Sequence, residues 1–80
     1  MSDMEDRIKQ IMADVLDLDV AAIDDSTAMD RIESWDSLSH INLCLSLEQD
    51  FQVSLSVDEM ESMLAYDDVV RVLTEKLASP

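Results

Sequence analysis

The 80-residue chain contains no glycine, and its single proline is the last residue, Pro80. Tight hairpin turns and phosphate-cradling loops draw on glycine for positive φ or close backbone approach. Rossmann and P-loop readings therefore fail at once. One cysteine, Cys44, permits no internal disulfide and fits a reducing compartment. Basic residues are scarce: 5 Lys and Arg against 19 Asp and Glu leave a net charge of −14 at pH 7. Nucleic acid and anionic membranes repel such a polyanion, so neither is expected as a partner. No apolar run approaches the roughly 18 residues of a membrane span, and no signal-peptide pattern opens the chain. The expectation is a soluble, cytoplasmic protein whose partners are basic surfaces or divalent cations.

A hydrophobic content of 48% is too high for an acidic disordered tail. The length suits one domain over residues 1–80. Met4, Ile8, Ile11, Met12, Val15 and Leu16 recur at helical spacing and predict a first helix from Ser2 to Leu18, with Ser2 and Glu5 as a capping box. Residues 17–35 lack a period. Asp17, Asp19, Asp24, Asp25 and Asp30 alternate there with Val20, Ile23 and Met29, which predicts an ordered loop anchored by those apolar residues, with one short helical turn.

A second helix is predicted from Ser37 to Asp50, capped by Asp36. Ser56 and Glu59 repeat the capping-box pattern and open a short third helix through Leu64. The last helix, Asp67 to Ala78, buries Val69, Val70, Leu73 and Leu77, with Asp67 and Asp68 in its first turn and Lys76 in its last. The expected fold is all-α: a small four-helix bundle of three longer helices and one short one.

The second helix carries two apolar stripes. At about 100° per residue, Leu43, Cys44, Leu47 and Phe51 form a core face that includes His40. Leu38, Ile41 and Leu45 form a second stripe beginning beside Ser37 and flanked by Glu48. Either the loop covers it, through Trp35, Ile32 or Met29, or it is a partly exposed strip with an acidic rim, as transient binding surfaces are.

Familiar chemistries can be tested against these residues. Asp36, Ser37 and His40 lie within one helical turn, too close for a Ser-His-Asp triad, whose members come from separate elements. Counted from Asp17, the sixth and twelfth positions of a calcium loop are Ala22 and Ala28 instead of Gly and Glu. Cys44 reads as a small buried hydrophobe, and the six Met residues as core filling. No catalytic or metal-binding role is expected.

Trp35-Asp36-Ser37-Leu38, followed by Ile41-x-Leu43-x-x-x-Leu47-Glu48-x-x-Phe51, the short helix and Asp68-Val69-Val70, resembles the acyl carrier protein family over nearly the whole chain. Carriers of fatty acid synthesis commonly have Gly where this chain has Ser34, and a capping Ser or Thr where it has Ala65. Trp before the Asp looks more like stand-alone carriers of specialised pathways. The resemblance implies a protein that is not an enzyme. It implies 4'-phosphopantetheine, from coenzyme A, attached to Ser37 with Asp36 as the adjacent motif residue. It further implies a phosphopantetheinyl transferase, and acyl-activating, acyltransferase or synthase enzymes with basic docking patches, which meet Leu38, Ile41, Leu45 and Glu48. A monomer is expected. The rivals are an aminoacyl or peptidyl carrier and an unmodified acidic helical interaction module.

Overall fold

A computed structural model describes residues 3–78. Four helices follow in order: α1, Asp3–Leu16; α2, Ser37–Phe51; α3, Val57–Ser62; and α4, Tyr66–Ala78. A 3₁₀ turn, Val20–Ala22, is the short turn expected in the loop. The boundaries fall within two residues of the predicted ones, α3 stopping at Ser62 instead of Leu64. The proposed cap at Ser2 lies outside the described residues.

Apolar periodicity explains why these segments are helices. Ile8, Ile11, Met12 and Leu16 form the stripe of α1 that faces α2 and α4. Tyr66, Val69, Val72 and Leu73 form that of α4. Leu43, Cys44 and Leu47 close the core from α2, with Trp35, Ile23, Leu55 and Met63 filling it from the connections. Leu77 departs from expectation. It shares the apolar face but lies in the last turn of α4, where none of the described residues covers it fully, and it is 47% exposed. Val72 is buried instead, and Val70 is half-buried. Val20 was expected to anchor the loop, yet it is exposed on the 3₁₀ turn, and Ile23 anchors that part alone.

Helix ends are set without glycine. After α1, Asp17 takes φ 56°, and Leu18 N–H donates to the Ala13 carbonyl. After α2, Gln52 takes φ 55°, and Val53 N–H donates to the Glu48 carbonyl. Both are left-handed terminations with a bond reaching back five residues. The start of α3 is the capping box read from sequence: Glu59 N–H donates to Ser56 Oγ, and Ser56 N–H to the Glu59 carboxylate.

The loop is held at both ends. Ser34 Oγ donates to the Leu16 carbonyl at 2.7 Å. The buried Thr27 hydroxyl accepts from Asp24 N–H. Thr27 O receives Tyr66 N–H at 2.9 Å and Leu64 O receives Met29 N–H at 2.8 Å, an antiparallel bridge around Ala28 and Ala65. This bridge supplies a partner for the first N–H of α4, in addition to the acids Asp67 and Asp68 of its first turn. Loop and α3–α4 link thereby form one strap, running past the start of α2.

Candidate functional site

Ser37 is the first residue of α2 and is exposed. Asp36 precedes it in extended conformation, φ −99° and ψ −173°, and its carboxylate accepts from Ser39 N–H at 2.9 Å. That bond holds the Asp36 carboxyl below the usual carboxylate range. The cap turns the chain sharply into the helix and leaves the Ser37 hydroxyl at its positive end.

Trp35, immediately upstream, is buried, with 2% of its surface exposed. Its indole Nε1–H donates to His40 Nδ1 at 3.0 Å, and the two rings lie 6.0 Å apart, tilted by 35°. Nε2 of the same imidazole lies 2.7 Å from the Met60 carbonyl oxygen. Both nitrogens are committed away from Ser37, and the Asp36 carboxylate is committed to Ser39. No Ser-His-Asp relay is assembled, in keeping with the sequence argument.

Two clefts meet at Ser37. One, about 470 Å³, runs between α2 and α3 and is walled by Ile41, Cys44, Val57, Met60 and Leu64. The other, about 630 Å³, lies between the loop and the α3–α4 link, over Trp35, Ala28 and Ala65. Met29 and Leu64 line both. A phosphate ester on the Ser37 oxygen would stand at the first turn of α2, where N–H groups and the helix dipole favour an anion. The apolar clefts beside it suit an attached chain. The residues present therefore fit a phosphopantetheine group, which when bound supplies a thiol that holds acyl groups as thioesters.

The second stripe of α2 is open. Leu38 is 69% exposed, Ile41 54% and Leu45 48%, so the loop does not cover them. Sequence reasoning missed two neighbours, the exposed Val57 and Leu64, which line the α2–α3 cleft with Ile41. The periodicity of a six-residue helix is too short to assign its faces; the one available signal was an apolar residue directly after each end of a capped turn. Glu48 proves to be more than a rim charge. It is half-buried and accepts from Leu55 N–H at 2.8 Å, clasping the α2–α3 link to α2.

Cys44 is buried, as expected, with Sγ 3.8 Å from His40 Nε2. Burial, followed by the charge of Glu48, pushes its thiol up to about 11, so it stays protonated at neutral pH. Among the described residues, no group of three or more His, Cys, Asp or Glu side chains is placed to hold a metal ion. None of the described helices is long and apolar enough to cross a membrane.

A family model described as the phosphopantetheine attachment site matches residues 6–73. A polyketide-8 synthase acyl carrier protein from Streptomyces avermitilis is 34% identical over 74 residues, covering 91% of this chain and 84% of that protein. An acyl carrier protein of Caulobacter vibrioides is 28% identical over 78 residues, covering 98% of this chain and all of that one. Among solved structures, the holo acyl carrier protein of Geobacter metallireducens superposes with a TM-score of 0.82 at 31% identity, covering 92% of this chain and 85% of that one. The holo acyl carrier protein of Nitrosomonas europaea gives a TM-score of 0.81 at 22% identity, covering 96% and 99%, and speaks to the fold alone. Sequence family, fold and the ground around Ser37 agree: the chain belongs to the acyl carrier protein family and carries phosphopantetheine.

Proposed function

We propose that Ser37 is the phosphopantetheine attachment residue of one acyl carrier domain spanning residues 1–80. The observation that carries this reading is the position of Ser37: exposed, first in α2, directly after the Asp36 cap, where two apolar clefts meet. In the modification, the Ser37 oxygen bonds to the phosphorus that bears the pantetheine arm of coenzyme A. The adenosine bisphosphate portion leaves, and the serine proton passes to a base on the transferase. The chain contributes an accessible hydroxyl and a helix end that favours the product's charge.

The partners are a phosphopantetheinyl transferase and acyl-activating, acyltransferase or synthase enzymes with basic docking patches. They meet the strip Leu38, Ile41 and Leu45, together with the acids Asp36 and Glu48. Basic partner surfaces steer encounter, and a small apolar strip holds the complex without slowing release. The chain acts as a cytoplasmic monomer and performs no catalysis itself. Its cargo is an acyl chain of fatty-acid or polyketide type; resemblance to the Streptomyces polyketide carrier favours the latter.

Incubation with coenzyme A and a purified transferase, read by intact mass, tests the assignment. Wild type gains one phosphopantetheine, whereas Ser37→Ala gains none and keeps its circular dichroism. Modification of Ser37→Ala would move the attachment elsewhere. No gain by wild type would favour the unmodified interaction module.

A further inference from the structure

His40 is the one histidine in the chain. Its backbone N–H donates to the Asp36 carbonyl, so its ring sits one turn past the site. The ring joins two walls of that site. Nδ1 receives Trp35 Nε1–H at 3.0 Å, and Nε2 lies 2.7 Å from the Met60 carbonyl oxygen. An indole N–H only donates and a carbonyl only accepts. The two partners therefore admit a single form, the neutral imidazole protonated at Nε2.

Each bond holds something that Ser37 depends on. Trp35 is the buried anchor of the segment entering α2, two residues before Ser37. Met60 belongs to α3, a six-residue helix that contains no fully buried side chain. Short of core, α3 is seated by a few tethers: His40 at Met60, Lys76 at Glu59, and Met29 N–H at the Leu64 carbonyl. Without the imidazole, the entering segment and one wall of the α2–α3 cleft loosen together.

We propose that His40 is a positioning residue for Ser37, holding the segment before it and α3 in register through its Nε2-protonated ring. The inference rests on Ser37 being the attachment residue. A proton added at Nδ1 would face the indole N–H donor and break the Trp35 bond, while the Met60 bond survives. The charged or titratable groups about the ring are few. Cys44 on α2 is a neutral thiol at neutral pH, and Glu61 on α3 lines the same cleft. Trp35 and Met29 face it from the loop without charge.

Two half-isosteres separate the bonds. His40→Asn keeps an acceptor near Nδ1, and His40→Gln keeps a donor near Nε2. Nitrogen-15 NMR of the one imidazole reads its tautomer directly, and emission of the one tryptophan follows the Trp35 bond. Loading is measured in one tube, with wild type and a variant competing for coenzyme A and transferase, so both meet the same transferase activity. We expect the Nε2–H form at neutral pH and a change in Trp35 emission in His40→Gln, which lacks the Nδ1 acceptor. Wild type should outcompete each half-isostere by about 3- to 10-fold at neutral pH, the size of one net hydrogen bond. Circular dichroism of both variants verifies that they are folded. The Nδ1–H tautomer, or an absent advantage, would overturn the proposal. Failure of wild type itself to gain mass would instead overturn the assignment of Ser37, and the proposal with it.

Discussion

The hydroxyl of Ser34 donates to the carbonyl of Leu16, eighteen residues earlier, and so ties the segment entering α2 to the last turn of α1. The last carbonyls of a helix lack partners within it, and Ser34 supplies one. Fatty-acid carriers commonly have glycine here, which can make no such bond. Ser34→Ala should lower the unfolding free energy by about 1 kcal/mol. Urea titration should show a lower midpoint with an unchanged slope.

Gln52 ends α2 at φ 55°, where a side chain crowds the backbone. A left-handed residue with a Cβ costs about 1–2 kcal/mol, partly offset by the greater chain entropy glycine loses on folding. Gln52→Gly should therefore stabilise by about 0.5–1 kcal/mol. Asp17→Gly should gain less, since Asp tolerates this conformation better than Gln. Chemical denaturation of the two variants ranks them.

Two aspartates respond to acid with opposite sign. Asp50 sits against Arg7, whose hydrogen bond holds its carboxyl below the usual value of 3.8. It supports the fold above that value, and the support is lost as pH falls through its lowered folded value. Asp67 is raised, first by desolvation and then by the charge of Asp25. Its ionisation opposes folding at neutral pH, and the cost is relieved as pH falls through its raised value. Asp67→Asn should raise the melting temperature at neutral pH, with the gain fading in the carboxylate range. Added salt should move wild type in the same direction by screening. Scanning calorimetry from neutral pH down to about pH 3 separates the two signs.

The exposed strip should behave as surface when truncated. Ile41→Ala or Leu45→Ala should change stability by no more than about 0.5 kcal/mol, because neither side chain is in the core. Both should weaken acyl transfer by partner enzymes at all salt concentrations. A loss of several kcal/mol with normal transfer would return the strip to the core. Glu48→Lys should slow transfer at low salt, but it also breaks the clasp on Leu55, so its melting curve must accompany the assay. Glu61→Lys tests steering without that complication.

Much of this was readable from the chain. The stripes Ile8, Ile11, Met12, Leu16 and Val69, Leu73 mark their helices because a 3.6-residue period puts each on one face. Ser56 and Glu59 mark α3 because both halves of a capping box lie within four residues. Cover was harder to see. Periodicity finds the stripe Leu38, Ile41, Leu45 and the apolar Leu77, but it cannot say whether another element lies over them. The strap between Thr27, Tyr66, Met29 and Leu64 is a backbone pairing and leaves no side-chain signature. His40 was readable as part of the core face of α2, yet its partner at Met60 lies twenty residues away, beyond any local pattern.

The open strip beside Ser37 has a further consequence for a chain of net charge −14. Apolar surface of this kind would ordinarily invite a molecule to stick to its own copies. Here every approaching copy brings the same sign, so like molecules are turned back before their strips can touch. Cationic surfaces are drawn in by the same field. Charge thus acts as an admission rule that operates at a distance, ahead of any matching of shape. The rule lapses near pH 4.1, where the net charge vanishes, and there the strip has nothing left to keep it from its own kind.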